Sequence, residues 1–329
     1  MAGATDESTA PRDLELICTE LNPALDLLRE LGLRLDVIYP ADCPHTAMLS
    51  HAGRTVRLTS RPDVPLPSRG LPVFQPEFVL TLAGNSSDEG RAGMRYRDLI
   101  PGRLGGRYIA SHITIVEGGP VSDWVHFHHV AFQLIFVRKG WVRVVYEDQG
   151  EPFVMRAGDL VLQPPEIRHR VIESSPGLEV VEISCPALHE TLADHDMALP
   201  NGRVDSGRGF GGQHFLRHVA ADTPWTPLHG LEAQETAISE ATGGLAEVRT
   251  IRPGISGGEE FPPHGGELMF GFVLEGTARL HCGEEHKLAA ADAFVVPPGV
   301  PWSLSDASGD LRLLQITTAR VGQPRTKCA

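Results

Sequence analysis

No CxxC pair occurs among the five cysteines, Cys18, Cys43, Cys185, Cys282 and Cys328, and their number is odd. Neither a disulfide framework nor a zinc ribbon is therefore indicated, and reduced thiols in a cytoplasm are expected. No apolar run approaches the length of a membrane span. The first twelve residues are polar and acidic without an apolar core, unlike a secretory signal. Positive charge is scarce: 29 Lys and Arg stand against 42 Asp and Glu, a formal net charge of -13. This balance disfavours nucleic-acid backbones and anionic membranes as partners. It still permits a small anionic substrate in a local basic pocket.

Glycine (35) and proline (26) are abundant instead, between short Val, Ile, Leu and Phe runs. This pattern favours strands and tight turns over long helices. Residues 1–13 read as a disordered leader and 321–329 as a tail. Residues 14–60 read as a small α/β segment: Asn22-Pro23 starts a helix, Gly32 stops it, and a strand and a hairpin follow. This segment weakly resembles half of a glyoxalase-type module, although His45 and His51 read better as loop histidines than as ligands. Residues 61–76 form a Pro-rich linker. Residues 200–213 are a Gly-rich connection between two larger units, 77–199 and 214–320.

Those two units repeat one pattern at an offset of about 135 residues. Aligning Gly140 with Gly276 places His126 on Pro262, His128 on His264 and Gln133 on Met269. Further on, Gly158-Asp159 matches Ala291-Asp292, Pro164 matches Pro297 and His169 matches Trp302. His126 and His128 are two apart, so on a strand they share a face. A hairpin-rich sheet that folds back can bring His169 beside them. Three imidazoles on one inner face point to a divalent metal. In the second copy three of the four positions are apolar or proline, which points to a dry, filled or closed barrel with a structural role.

The order Gly119, His126-Phe127-His128, Gln133, Gly140, then Gly158, Pro164 and His169, resembles the two motifs of the cupin superfamily. Gly119 lies one residue further out than usual. Gln133 replaces the glutamate of the first motif; Glu166 and Glu173 stand for the Gly and Asn of the second. The stretches 140–150 and 163–170 are also similar to a group of bacterial bicupins. The resemblance spans roughly residues 77–320 and implies a mainly β chain with two double-sheet jelly-roll barrels. It implies metal binding by His126, His128, His169 and Gln133 in the first barrel and none in the second.

Gln133 is the departure that bears on chemistry. Its carbonyl oxygen either completes the coordination without adding charge, or its amide only orients a histidine. A neutral ligand set leaves the cation its full charge, which favours an anionic substrate. Three-histidine cupins often serve dioxygenases, so the resemblance favours Fe(II); Zn, Ni, Mn and Cu also suit imidazole. The leading expectation is an Fe(II) dioxygenase-type oxidoreductase acting on a small oxygen-rich or aromatic anion. A Zn- or Ni-dependent isomerase, cyclase or lyase and a non-catalytic small-molecule-binding protein are the alternatives. Glu173, sharing strand parity with His169, is expected to face the cavity. Arg107 and His112 are expected at its mouth, Arg107 gripping a carboxylate. Arg168 and Arg170 read as facing away, His129 as either behind the ligands or on the surface, and Phe127, Phe132, Trp141 and Tyr146 as core. A homodimer is expected.

Overall fold

The computed structural model describes residues 14–40, 42–64, 70–85, 88–89, 94–228, 230–254 and 259–320. The leader 1–13 and tail 321–329 lie outside the described residues. Strands dominate, as the Gly and Pro punctuation requires.

Two double-sheet barrels form from antiparallel strands. In the first, His126–His128, His169–Ser174, Trp141–Tyr146 and Phe153–Arg156 make one sheet. Leu160–Leu162, Phe132–Lys139, Leu178–Cys185, Ile109–Ile115 and Arg95–Asp98 make the other. The second barrel repeats this layout with Leu268–Glu275, Arg312–Thr318 and Ala246–Pro253 at the centre of its larger sheet.

The strands Phe132–Lys139 and Leu268–Glu275 read as nearly unbroken apolar runs rather than alternating ones. Burial on both faces is the reason. One face fills a barrel, with Val137 in the first and Met269 and Val273 in the second. The opposite faces, with Leu134, Phe136, Phe270 and Phe272, pack together as one core shared between the barrels.

Sheet pairing crosses the limits drawn from sequence at 77 and 214. Val79–Thr81 pairs with Ala293–Val295 of the second barrel, and Leu216–His218 pairs with Leu160–Leu162 of the first. Each unit thus covers an edge of the other, satisfying backbone groups that an open edge would expose. Alternation in sequence reports which face is buried, not which edge a strand joins.

The 14–60 segment joins the first barrel in the same way. Its helix Leu21–Glu30 packs on the sheet of Leu14–Ile17, Arg34–Tyr39, Thr46–His51 and Arg54–Thr59. Thr191–Ala193 then pairs with Arg34–Tyr39 on one side and with His126–His128 on the other. One continuous sheet therefore runs from the N-terminal segment to the histidines. His45 is not a solvated loop residue as expected: it is buried, bonded through Nδ1 to Thr46 Oγ1 at 2.9 Å and set edge-on to Tyr39. Burial lowers its pKa.

Two backbone positions reflect the repeat. Gly140 turns at φ 80°, where an added Cβ would lie 2.3 Å from Ser175 Oγ. Glu166 occupies a left-handed position, φ 63°, that the second copy fills with Gly299 at φ 76°.

Candidate metal centre

The short strand His126–His128 points both histidines into the first barrel, and register sets His126 directly opposite His169. The ring centroids lie 4.2 Å apart for His126 and His169, 5.2 Å for His126 and His128, and 5.3 Å for His128 and His169. All three are buried, and one ligand atom from each falls within 4.8 Å of the others.

Backbone carbonyls fix the tautomer of each ring. His126 Nδ1 meets Trp124 O at 2.7 Å, His128 Nδ1 meets Glu190 O at 3.1 Å, and His169 Nδ1 meets Ile167 O at 2.9 Å. A carbonyl only accepts, so Nδ1 carries the hydrogen and Nε2 the lone pair in all three. The buried Asp123 sits 3.6 Å from His126 Nδ1 and accepts the Val171 N–H. Neutral imidazoles with Nδ1 donated away are the form in which histidine binds a divalent metal. These residues fit such an ion.

Gln133 is buried on the cavity wall beside the histidines. Its Nε2 donates to Glu182 Oε1 at 2.8 Å. A carboxylate is therefore present after all, carried by the neighbouring strand. Glu182 was missed in sequence, yet it shares strand parity with Leu178 and Val180, which also line the cavity. Tyr146 is buried in the core as expected and also forms cavity wall: its ring stacks on His169 at 5.6 Å and its hydroxyl accepts from Gln163 Nε2 at 3.0 Å. Burial raises its pKa, with the Glu182 charge adding, so the phenol stays protonated. His189, also missed, is buried with its ring 5.3 Å from His128.

Three expected site residues lie elsewhere. Glu173 is turned outward because a bulge interrupts its strand: Arg143 pairs with Glu173 but Val144 pairs with Val171, so the parity shared with His169 is lost. It faces Arg143 at 3.8 Å on the half-exposed outer surface. Arg107 does grip a carboxylate with two hydrogen bonds, but that carboxylate is Glu267 of the second barrel, 3.0 Å from both Nε and Nη2. His112 lies on the opposite face of its strand from the cavity residues Ile113 and Ile115. There it accepts from Arg97, donates to Glu179 at 2.9 Å and packs near Phe272 of the second barrel. Parity from Ile113 separates it from the cavity. Arg168 does face away, stacked over Phe127 and bonded to Asp194 at 3.0 Å. Arg170, by contrast, is among the residues bordering the cavity.

The cavity measures about 90 Å³ and its wall is largely apolar, with Ile113, Ile135, Val142, Met155 and Val180. In the second barrel the corresponding interior is filled. Trp302 lies flat on Phe261 at 4.1 Å, Met269 is buried beside them, and His264 Nε2 donates to Val296 O at 2.8 Å.

The cupin domain model matches residues 112–183 and again 248–317, one match in each barrel. The chain carries two cupin domains. Comparison with curated protein sequences gives no match. Solved structures share the arrangement of strands. Protein YlbA from E. coli superposes with a TM-score of 0.57 at 11% identity, over 78% of this chain and 96% of that one. Oxalate decarboxylase from Lactobacillus farciminis, in complex with formate, gives 0.53 at 14% identity, over 78% and 88%. Salicylate 1,2-dioxygenase from Pseudaminobacter salicylatoxidans gives 0.53 at 19% identity, over 75% and 86%. At such identities the likeness concerns fold alone. Within this bicupin, the first cupin domain holds the histidine cluster. No described helix is long and apolar enough to cross a membrane.

Proposed function

We propose that the first cupin domain is the centre of a metal-dependent oxidoreductase of dioxygenase type, with Fe(II) held by His126, His128 and His169. Its substrate is a small anionic compound with an apolar, preferably aromatic, body. The observation that carries this reading is the set of three buried imidazoles with Nδ1 donated to backbone carbonyls, at one end of a small apolar cavity. Bound there, iron would supply a Lewis acid and a redox centre for oxygen chemistry.

The protein's own groups then have distinct tasks. The apolar wall around Ile113, Ile135 and Val180 receives the hydrocarbon body and excludes water. Glu182 accepts the proton that a substrate hydroxyl loses, while its bond to Gln133 fixes which way that amide points. Tyr146 stays protonated and holds Gln163 in place. Two of the structural neighbours are named for enzymes of carboxylic acids, oxalate and salicylate, which agrees with an anionic substrate.

The test is oxygen consumption by Fe(II)-loaded protein across hydroxylated aromatic acids and short oxo- and hydroxy-acids. Uptake that depends on one such acid and disappears in His169→Ala supports the reading. No uptake with any of them, with metal still bound, overturns it. Glu182 favours a second reading, because a carboxylate next to the cluster equally suits proton transfer in a Zn- or Ni-dependent isomerase, cyclase or lyase. Tightly held zinc or nickel in the protein as isolated would select that one.

A further inference from the structure

The mouth of the second barrel is not closed. Above the Phe261–Trp302 stack lies a cleft of about 410 Å³, within the range of small-molecule sites. It is bordered by Arg249, His264, Gln315, Thr317, Trp302 and Glu247. We propose that this cleft is a metal-free binding site for a small carboxylic acid that carries a hydrogen-bond donor next to the acid group, an α-hydroxy or α-amino acid with an apolar side chain.

Register shows how the two copies diverged. Glu182 pairs with Ser111 in the first barrel; the matching pair in the second is Gln315 with Arg249. The carboxylate has become an amide and the hydroxyl a guanidinium, so a cross-strand pair that carries a negative charge in the first barrel carries a positive one in the second. Arg249 is held in place. Its Nε donates to the buried Gln315 Oε1 at 2.7 Å and its Nη1 to Glu235 at 3.3 Å, so that among the described residues Nη2 is left to meet a carboxylate. His264 supplies the second determinant. Its Nε2 donates to Val296 O, so Nδ1 is an acceptor, and that atom is buried with no partner among the described residues. A ligand O–H or N–H beside the acid group would satisfy it. Trp302 offers an apolar floor, and the exposed Glu247 at the rim distinguishes an ammonium from a hydroxyl.

This site belongs to the second barrel alone and is independent of metal in the first. The test is calorimetric titration of full-length, chelator-stripped protein with 3-phenyllactate, phenylalanine and 3-phenylpropanoate. These acids carry O–H, N–H and C–H at the same carbon. One of the first two should bind at least about tenfold more tightly than 3-phenylpropanoate. Arg249→Gln should weaken all three, and His264→Phe, or His264→Asn where Phe prevents folding, should remove the preference. A phenylalanine preference lost in Glu247→Gln assigns an amino acid; a phenyllactate preference indifferent to it assigns a hydroxy acid. His128→Ala, which disturbs the first barrel's site, should leave these three affinities unchanged. Equal affinity for the three acids, binding indifferent to Arg249→Gln, binding lost in His128→Ala, or no binding at about 10 mM would each overturn the proposal.

Discussion

Replacing Arg107 by Met tests whether that arginine serves the cavity or the joint between the barrels. Arg107 and Glu267 have side chains only 8% and 9% exposed, and two 3.0 Å hydrogen bonds join them. Arg107 also donates to Pro72 O, and Glu267 accepts from the Tyr108 hydroxyl at 3.2 Å. Removing the guanidinium leaves Glu267 charged and buried with, among the described residues, that phenol as its remaining side-chain partner, at a cost of about 3–5 kcal/mol. The barrels share one core, so they should melt as a unit. At roughly 2 cal/mol/K per residue, a 329-residue chain has a melting entropy of about 0.7 kcal/mol/K. The expected fall in Tm is then about 4–7 °C by scanning calorimetry. The double variant Arg107→Met/Glu267→Leu should recover most of it, since the buried charge is gone and Tyr108 keeps Thr318 at 2.7 Å. Metal content of the first barrel should not change. A shift below about 1 °C, or lost ligand affinity with Tm intact, would refute this reasoning and return Arg107 to the cavity.

Other predictions follow from the same geometry. Hydrogen bonding from His112, with the Arg138 guanidinium beside it, holds the Glu179 carboxyl down at about 2. Its contribution is fully present above the ordinary carboxylate pKa and is lost as pH falls from about 4.5 towards 2. It amounts to at most about 3 kcal/mol. Glu179→Gln should therefore flatten denaturant-measured stability over that range, and an unchanged acid slope would contradict the assignment. Glu166 sits at φ 63° where the second copy has glycine. Glu166→Gly should stabilise by about 0.5–1 kcal/mol in urea unfolding, and destabilisation would show that the side chain contributes more than the strain costs.

The fold was legible because the turn glycines and prolines survive in both copies, even where the ligand positions changed. Gly140 and Gly276 both turn at positive φ, at 80° and 77°. The histidine cluster was legible for the same reason, since strand parity and the return of the sheet leave little freedom. Parity failed where a bulge broke it, at Glu173. Nearness to the first motif misled at His112 and Arg107: both face the other barrel, and position in the chain does not say what covers a face. Glu182 lay in plain alternation with Leu178 and Val180 but outside either motif, so the motif-based reading passed over it. The strand exchanges at Val79–Thr81 and Leu216–His218 had no signal of their own, because edge pairing depends on which backbone lies nearest.

The central claim is that His126, His128 and His169 form one metal site. Its most direct test is elemental analysis of purified protein after equilibration with Fe(II) under anaerobic conditions, for the wild type and for His126→Ala and His169→Ala. One metal ion per chain in the wild type, lost in both variants while their melting transitions remain cooperative, is the predicted result. Absence of bound metal in the wild type, or equal metal in all three proteins, would contradict it.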